Sequence, residues 1–340
     1  MKHQLDFERP ILELQRKLDE LRKHPETHSM GISFEEEVSL IEKKLQETKR
    51  QIFARLSPWD RVKIARHTKR PYPLDYFTSV FTEFSELHGD RLFADDHAIV
   101  GGFAKLGEQK LMVIGTQKGR DTKENIKRNF GSAHPEGYRK ALRLMKLADK
   151  FGLPIISLID TAGAYPGIGA EERHVAESIA VNLREMMLIE VPIIAAIIGE
   201  GCSGGALGIG VADRVLILEN AYYSPISPEG CAAILWKDRA AAPKAAEALR
   251  ITAKDLAELG LIDEIVSEPL GGAHANWDEM AQILKTSLEN NLTDLKKVPV
   301  TERLKARYQK YRAYGQFTEK LPKTAGVENG EPASNGGHVA

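Results

Sequence analysis

Cysteine is nearly absent from this sequence: 340 residues contain only Cys202 and Cys231, and no CxxC pair. That scarcity excludes a disulfide framework and a cysteine zinc site, and it fits a reducing compartment. Long hydrophobic runs are missing too. The most apolar region, residues 191–218, is broken by Glu200, several glycines and Asp213. It falls short of the ~20 continuous apolar residues of a membrane span and reads as buried core. Nor is there an excess of one charge: 47 Lys and Arg against 48 Asp and Glu leave a net charge of −1. No global field draws in nucleic acid or an anionic membrane. Residues 1–12 lack both a continuous apolar core and an acid-free Arg-rich run, the marks of signal and transit segments, so the cytoplasm is the expected location. The 10 His are scattered; His24 and His28, the nearest to an i, i+4 pair, are separated by Pro25, so no metal site is expected.

What is present is a chain 42% hydrophobic, long enough for one large domain or a domain with an appendage. Ile11, Leu14, Leu18 and Leu21, then Val38, Ile41, Leu45 and Ile52, recur at helical spacing. They predict two amphipathic helices that pack on the main domain or a partner as a clamp. His24-Pro25 and Met30-Gly31 bracket the break between them, Ser33 and Glu36 form a capping-box pattern, and Pro58 ends or bends the second. A basic cluster follows at Arg61, Lys63, Arg66, His67, Lys69 and Arg70. It reads as solvated surface or as a contact for phosphate or an acidic partner. The expected division is a helical extension over 1–70, a main domain over 71–320, and a disordered tail over 321–340, rich in Gly, Pro, Asn, Ser and Glu.

Within the main domain the pattern alternates. Residues 98–106 and 110–117 read as a hairpin joined at Gly107-Glu108, and 135–151 as a helix with Pro in its first turn. Buried strands are expected at 155–159, 193–198 and 214–218, with a short one at 263–266. Helices are expected at 170–189, 203–210, 228–236, 240–249 and 252–259, and a mostly helical end follows Gly271-Gly272. This is an α/β chain whose sheet is covered on its faces by helices.

Three glycine-rich loops follow predicted strands: residues 115–120, 160–167 and 199–206. Ligands of layered α/β proteins sit at the carboxyl ends of strands, and glycine lets them approach main-chain amides. In the third loop, Ser203-Gly204-Gly205-Ala206 opens a short helix, so its amides are the helix's unpaired donors. They either hold an oxyanion, worth ~3 kcal/mol per donor in measured acyl-transfer cases, or serve close helix packing. GxxxxGK[ST] is missing, which argues against a P-loop phosphate cradle; Gly201, Ser203 and Gly205 have GxSxG spacing and Gly199, Gly201 and Gly204 have GxGxxG spacing, but Ser203 has no recognisable His and Asp partners, which argues against a serine hydrolase. Glu200, in the third loop, and Glu229 are carboxylates available as acid or base for a self-sufficient acyl-CoA hydratase or isomerase. Lys118, Arg120, Lys123, Lys127 and Arg128 form a second basic set after the first loop, suited to a phosphate-bearing substrate or an acidic carrier, or to a salt-bridged solvent face.

The runs GTQKGRDTKENIKRNFGSAHPEGYRKALRLMKLADKFGLPIISLIDTAGAYPGIGAEER from Gly115 and IGEGCSGGALGIGVADRVL from Ile198 resemble the alpha subunit of the bacterial and plastid acetyl-CoA carboxylase carboxyltransferase. SPEGCAAILWKD and LGLIDEIVSEPLGGAH continue the likeness, which runs to about Lys320. The resemblance implies a crotonase (ClpP/crotonase-like) fold of repeated ββα units and transfer of a carboxyl group from carboxybiotin to acetyl-CoA. The product is malonyl-CoA for fatty acid biosynthesis, made by an ATP-dependent complex. Implied partners are a zinc-bearing beta subunit in an α2β2 assembly, the biotin carboxyl carrier protein and biotin carboxylase; biotin is not attached to this chain, and the chain holds no metal.

By the same resemblance, the amides of Gly204, Gly205 and Ala206 face the ureido oxygen of biotin. A side chain at Gly205 is then expected to collide with the ligand. No side-chain base is needed, because in the family's chemistry the departing biotin anion takes the substrate's α-proton. Gly163, Ala164, Tyr165 and Pro166 match the loop beside the biotin pocket, and Lys118 and Arg120 match an anion-contacting loop. Cys202 stands where the family commonly has Gly, His174 and Val175 replace a usual Gly-Gln, and Pro225 replaces a branched apolar residue.

Overall fold

The computed structural model describes residues 5–23 and 33–315. The expected tail at 321–340 and the bracketing His24-Pro25 and Met30-Gly31 lie outside the described residues. The two expected helices are α1 (Arg9–Lys23) and α2 (Phe34–Phe53), which bury Leu18, Leu21 and Ile41 against each other. Ser33 and Glu36 close the capping box, which satisfies two backbone donors at the start of α2. Pro58 does not end α2. It opens a further helix, α3 (Pro58–Ala65), capped by Ser57, because proline's missing N–H costs nothing in a first turn. Val62 and Ala65 of α3 pack on Tyr222, Ala246 and Ile251, so residues 58–65 join the main body and the extension proper is α1 and α2. The helix α4 (Pro73–Ser79) follows, with Pro73 in its first turn.

The sheet begins antiparallel with β1 (Thr82–Glu86), β2 (Ile99–Leu106) and β3 (Gln109–Thr116). Gly107-Glu108 makes the expected two-residue hairpin turn, with Gly107 at φ 56° as such turns require. It continues parallel through β4 (Ile155–Thr161), β5 (Ile193–Cys202) and β6 (Arg214–Leu218), with β7 (Tyr222–Ser224) beside the end of β5 and β8 (Glu264–Val266) at the edge. Every residue of β4 and β5 is buried, which explains the mostly apolar runs at 155–159 and 193–198.

Between the strands lie α5 (Thr122–Lys127), α6 (Pro135–Lys150), α7 (Ile168–Glu172), α8 (Val175–Met186) and α9 (Ser203–Leu207). Beyond β7 come α10 (Pro228–Leu235), α11 (Ala242–Leu249), α12 (Ala253–Glu258), α13 (Trp277–Lys297) and α14 (Val300–Arg312). The last is pinned by Arg307, fully buried, which binds Asp213 through two contacts of 2.8 Å and donates to the carbonyls of Met186 and Ile189.

The single helix expected over 170–189 is two, because His174 takes the left-handed conformation at φ 65° and breaks it. Glycine enters that region without a Cβ penalty, which accounts physically for the glycine the resemblance leads one to expect here. The sequence reading also missed β1, whose exposed edge carries no apolar alternation, and the three-residue β7. Substituting His174 by Val is expected to cost about 1 kcal/mol or more, since β-branched residues tolerate this region worst. His174→Gly is expected to show no loss. Urea unfolding midpoints of the three proteins check this; equal midpoints for His and Val refute it.

Candidate active site

Two of the glycine loops meet. Ser203, at φ 55°, turns the chain sharply out of β5 into α9. Gly205 then lies so close to the loop after β4 that a Cβ would fall 2.4 Å from the carbonyl carbon of Gly163 and 2.6 Å from the nitrogen of Ala164. The glycine is demanded by the approach of two backbones. A side chain at Gly205 therefore strikes the protein's own backbone, where the sequence reading expected a collision with a ligand. Gly204 faces differently, toward α8, where a Cβ would stand 3.3 Å from Cδ1 of Ile179. Ala206 is fully buried behind them.

First-turn amides have no acceptor one turn back in their own helix. Among the described residues, no loop carbonyl or side chain accepts from the amides of Ala164, Gly204 or Gly205. The loop after β4 is itself held: the Thr161 hydroxyl accepts from the Gly163 amide at 3.1 Å, Tyr165 donates its amide to Ala133 at 3.0 Å, and the Tyr165 ring stacks on His134 with centroids 4.0 Å apart. Pro166 is exposed at its tip. On the other side of α9 lies a mostly apolar cavity of about 320 Å³, lined by Ser203, Leu207, Tyr223, Pro225, Leu249 and Tyr311 among others. Gly163 to Pro166, Lys118 and Arg120 do not line it.

Behind the loops is a buried hub of charge. The Lys118 ammonium donates to Asp160 Oδ1 at 2.7 Å and to Glu200 Oε1 at 2.8 Å. Glu200 Oε2 accepts from Arg66 Nε at 2.7 Å and from the Tyr222 hydroxyl at 2.6 Å, and Arg66 also reaches Glu229. Burial by itself would push the Glu200 carboxyl up, but Lys118 and Arg66 outweigh it and hold it at about 2. Burial and the Glu200 charge push Asp160 the other way, upward, against the pull of Lys118. Glu229 is likewise held low by Arg66 against its burial. A carboxylate so acidic and so fully engaged is a poor proton acceptor near neutrality, so Glu200 does not fit the role of catalytic base. The Cys202 thiol, pushed up to about 11 by burial, stays protonated at neutral pH.

Lys118 and Arg120 are thus occupied within the chain. Arg120 binds the carbonyl of Arg70 at 2.9 Å, pairs with Asp75 and lies 3.9 Å from the Tyr72 ring centre. Most of the earlier basic cluster is also bonded within the chain. Arg61 binds Asn220 Oδ1 at 2.7 Å, Lys63 pairs with Asp60, and Arg70 pairs with Glu268 with neither side chain accessible to solvent. Lys69 is exposed, so the solvated-face reading holds there and fails at the buried Arg70. The partners of Arg66 and Arg70 lie 128 or more residues away in the chain, so spacing gave no signal.

Solved structures of low identity share the fold. One is a transcarboxylase 12S core with methylmalonyl-coenzyme A bound (TM-score 0.51, 18% identity, 64% of this chain and 41% of that chain). Another is a Pseudomonas malonate decarboxylase hetero-tetramer in complex with coenzyme A (TM-score 0.55, 15% identity, 69% of this chain and 91% of that chain). The α/β fold is thus structurally similar to crotonase-like carboxyltransferase and decarboxylase domains. Residues 4–315 match the family model described as acetyl co-enzyme A carboxylase carboxyltransferase-like. The acetyl-coenzyme A carboxylase carboxyl transferase subunit alpha of Geobacter metallireducens is 56% identical over 93% of this chain and 99% of its own length. That of Coxiella burnetii is 58% identical over 92% and 98%. The chain belongs to this family, the carboxyltransferase alpha subunits of acetyl-CoA carboxylase.

Two buried carboxylates, Glu200 and Glu268, are each held at about 2, below the ordinary ~4.3. The unfolded chain takes up those protons first as pH falls, so their contribution is complete above about pH 4.3 and disappears toward 2. The expected result is a urea midpoint insensitive to these groups from pH 7 to 5 that drops below about 4.5. A Glu268→Gln protein should show a shallower drop; an equal slope would refute the assignment.

Proposed function

We propose that the amides of Gly204 and Gly205, with Ala206 packed behind them and the Ala164 amide across the gap, bind the oxygen on which negative charge grows during carboxyl transfer to acetyl-CoA. Biotin, borne by a separate carrier protein, supplies the carboxyl group and leaves with charge on its ureido oxygen. The fit rests on amides that have no loop or side-chain acceptor and on the contact of Gly205 with Gly163 and Ala164, which brings the donors of two loops together. Such donors stabilise charge most where water is excluded and the geometry is fixed beforehand. Gly163, Ala164, Tyr165 and Pro166 shape the entrance, with Tyr165 braced by His134. The cavity beside Ser203, about 320 Å³ and mostly apolar, is of a size to accept the non-polar part of one small ligand. Lys118 and Arg120 act on the loops and not on the substrate, since both are bonded within the chain.

In this reading the chain supplies half of a composite site, and a zinc-bearing beta subunit supplies the rest, including most of the coenzyme A surface, in an α2β2 assembly. The biotin carboxyl carrier protein and biotin carboxylase complete the cytoplasmic complex, whose product, malonyl-CoA, feeds fatty acid biosynthesis. The observation that carries the reading is the pair of glycine loops in contact with their donors facing no internal acceptor.

Gly204→Val tests it more cleanly than a change at Gly205, because its Cβ meets only the movable Ile179 side chain. Assembled with the beta subunit, it is expected to lose about 10²-fold in kcat for malonyl-CoA-dependent carboxylation of free biotin, the scale of one misplaced oxyanion donor. Full turnover in the assembled variant would refute the placement.

A further inference from the structure

The strands β4 and β5 pair in step from Ile155↔Ile193 to Ile159↔Ile197, then resume at Thr161↔Gly201. One β4 residue, Asp160, therefore stands opposite Ile198, Gly199 and Glu200, and β5 bulges by two extra residues just before it delivers Cys202 and Ser203 to the site. Bulges re-aim the chain that follows them but leave backbone groups without ladder partners. Here side chains replace the ladder. Arg70 Nε donates to the Ile198 carbonyl at 2.6 Å, and Asp160 Oδ1 accepts from the Glu200 amide at 2.9 Å. Asp160 lies so tightly over Gly199 that a Cβ there would come within 2.5 Å of Oδ1. Lys118 joins Asp160 to the Glu200 side chain, and Arg66 and Tyr222 fix the other Glu200 oxygen.

The geometry points to Lys118, with Glu200, Arg66 and Tyr222, as a set of positioning residues: their ion-paired hub clamps the β5 bulge and thereby sets the direction of the Gly204 and Gly205 amides. This rests on the reading of those amides as the oxyanion donors. Lys118 and Asp160 are interior, with side-chain exposures of 12% and 1%, so the ammonium is enclosed by carboxylates and offers no open face to an anion. The hub also ties residues from α3 and its following turn, remote in sequence, to the aim of α9.

The assembled alpha–beta complex is assayed for malonyl-CoA-dependent carboxylation of free biotin, with kcat and both KM values determined. Tyr222→Phe, which deletes one hydroxyl donor to Glu200, is expected to lower kcat about tenfold with both KM values within twofold. Lys118→Met is expected to lower kcat about 10²-fold, as for a misdirected donor. Because removing one partner of a buried ion pair is strongly destabilising, a Lys118→Met chain that fails to assemble leaves Tyr222→Phe and Glu200→Gln to decide. A kcat within twofold of wild type in those variants overturns the clamp. So does a loss confined to the KM for malonyl-CoA in Lys118→Met, which would mark Lys118 as a direct anion contact. Gly204→Val, run alongside, separates the two ideas: if it keeps full turnover the amide reading fails, and if it alone loses turnover only the clamp fails.

Discussion

The pairing of Glu200 with Lys118 and Arg66 is the interaction on which the site depends. Glu200 sits in a strand buried along its whole length, where an isolated carboxylate is prohibitively costly. Two cations and a tyrosine hydroxyl make its charge tolerable there. Each of those donors comes from a different segment: the loop after β3, the end of α3, and β7. The requirement to satisfy one carboxylate therefore draws three parts of the chain to the carboxyl edge of the sheet. A buried ion pair of this kind adds little net stability compared with an apolar core, but losing one partner is severe. In the reading proposed above, its value lies in specifying a single arrangement of the two glycine loops.

The same device recurs at two other points. Arg70 and Glu268 pair out of contact with solvent, with Asn220 and the Ala273 amide completing the acceptors of the carboxylate. Arg307 and Asp213 do so at the far end of the sheet, where they fix α14. Arginine suits these places because its planar fork satisfies a carboxylate and neighbouring carbonyls together. The protein thus fastens its amino-terminal and carboxy-terminal segments to the sheet by charge, while the sheet itself is held by aliphatic burial.

Much of the architecture was legible in advance. Mostly apolar runs at β4, β5 and β6 identified a sheet covered on its faces by helices, Gly107-Glu108 marked its hairpin, and the Ser33 cap opened α2 where expected. The glycine loops announced the carboxyl edge of the sheet, and the long motifs around Gly163 and Gly204 carried the family. The failures have a common cause. His174 splits a helix through a conformation that no residue pattern encodes, and Pro58 was read as a stop where a Ser57 cap made it a start. Arg66 and Arg70 looked like surface because their acidic partners, Glu200, Glu229 and Glu268, lie far along the chain.

Local chemistry decides what can be read from a sequence: helix caps, turn glycines and hydrophobic period depend on neighbours within a few residues. By itself the sequence determined the alternating α/β order, the sites of the glycine loops, and the family to which they belong. Only the tertiary structure decided that Lys118 faces inward, that Gly205 is reserved for another backbone, and that Arg66 and Arg70 hold a bulge in β5. Those outcomes turn on which distant charges and backbones share one buried volume, and that is fixed only when the chain has closed around them.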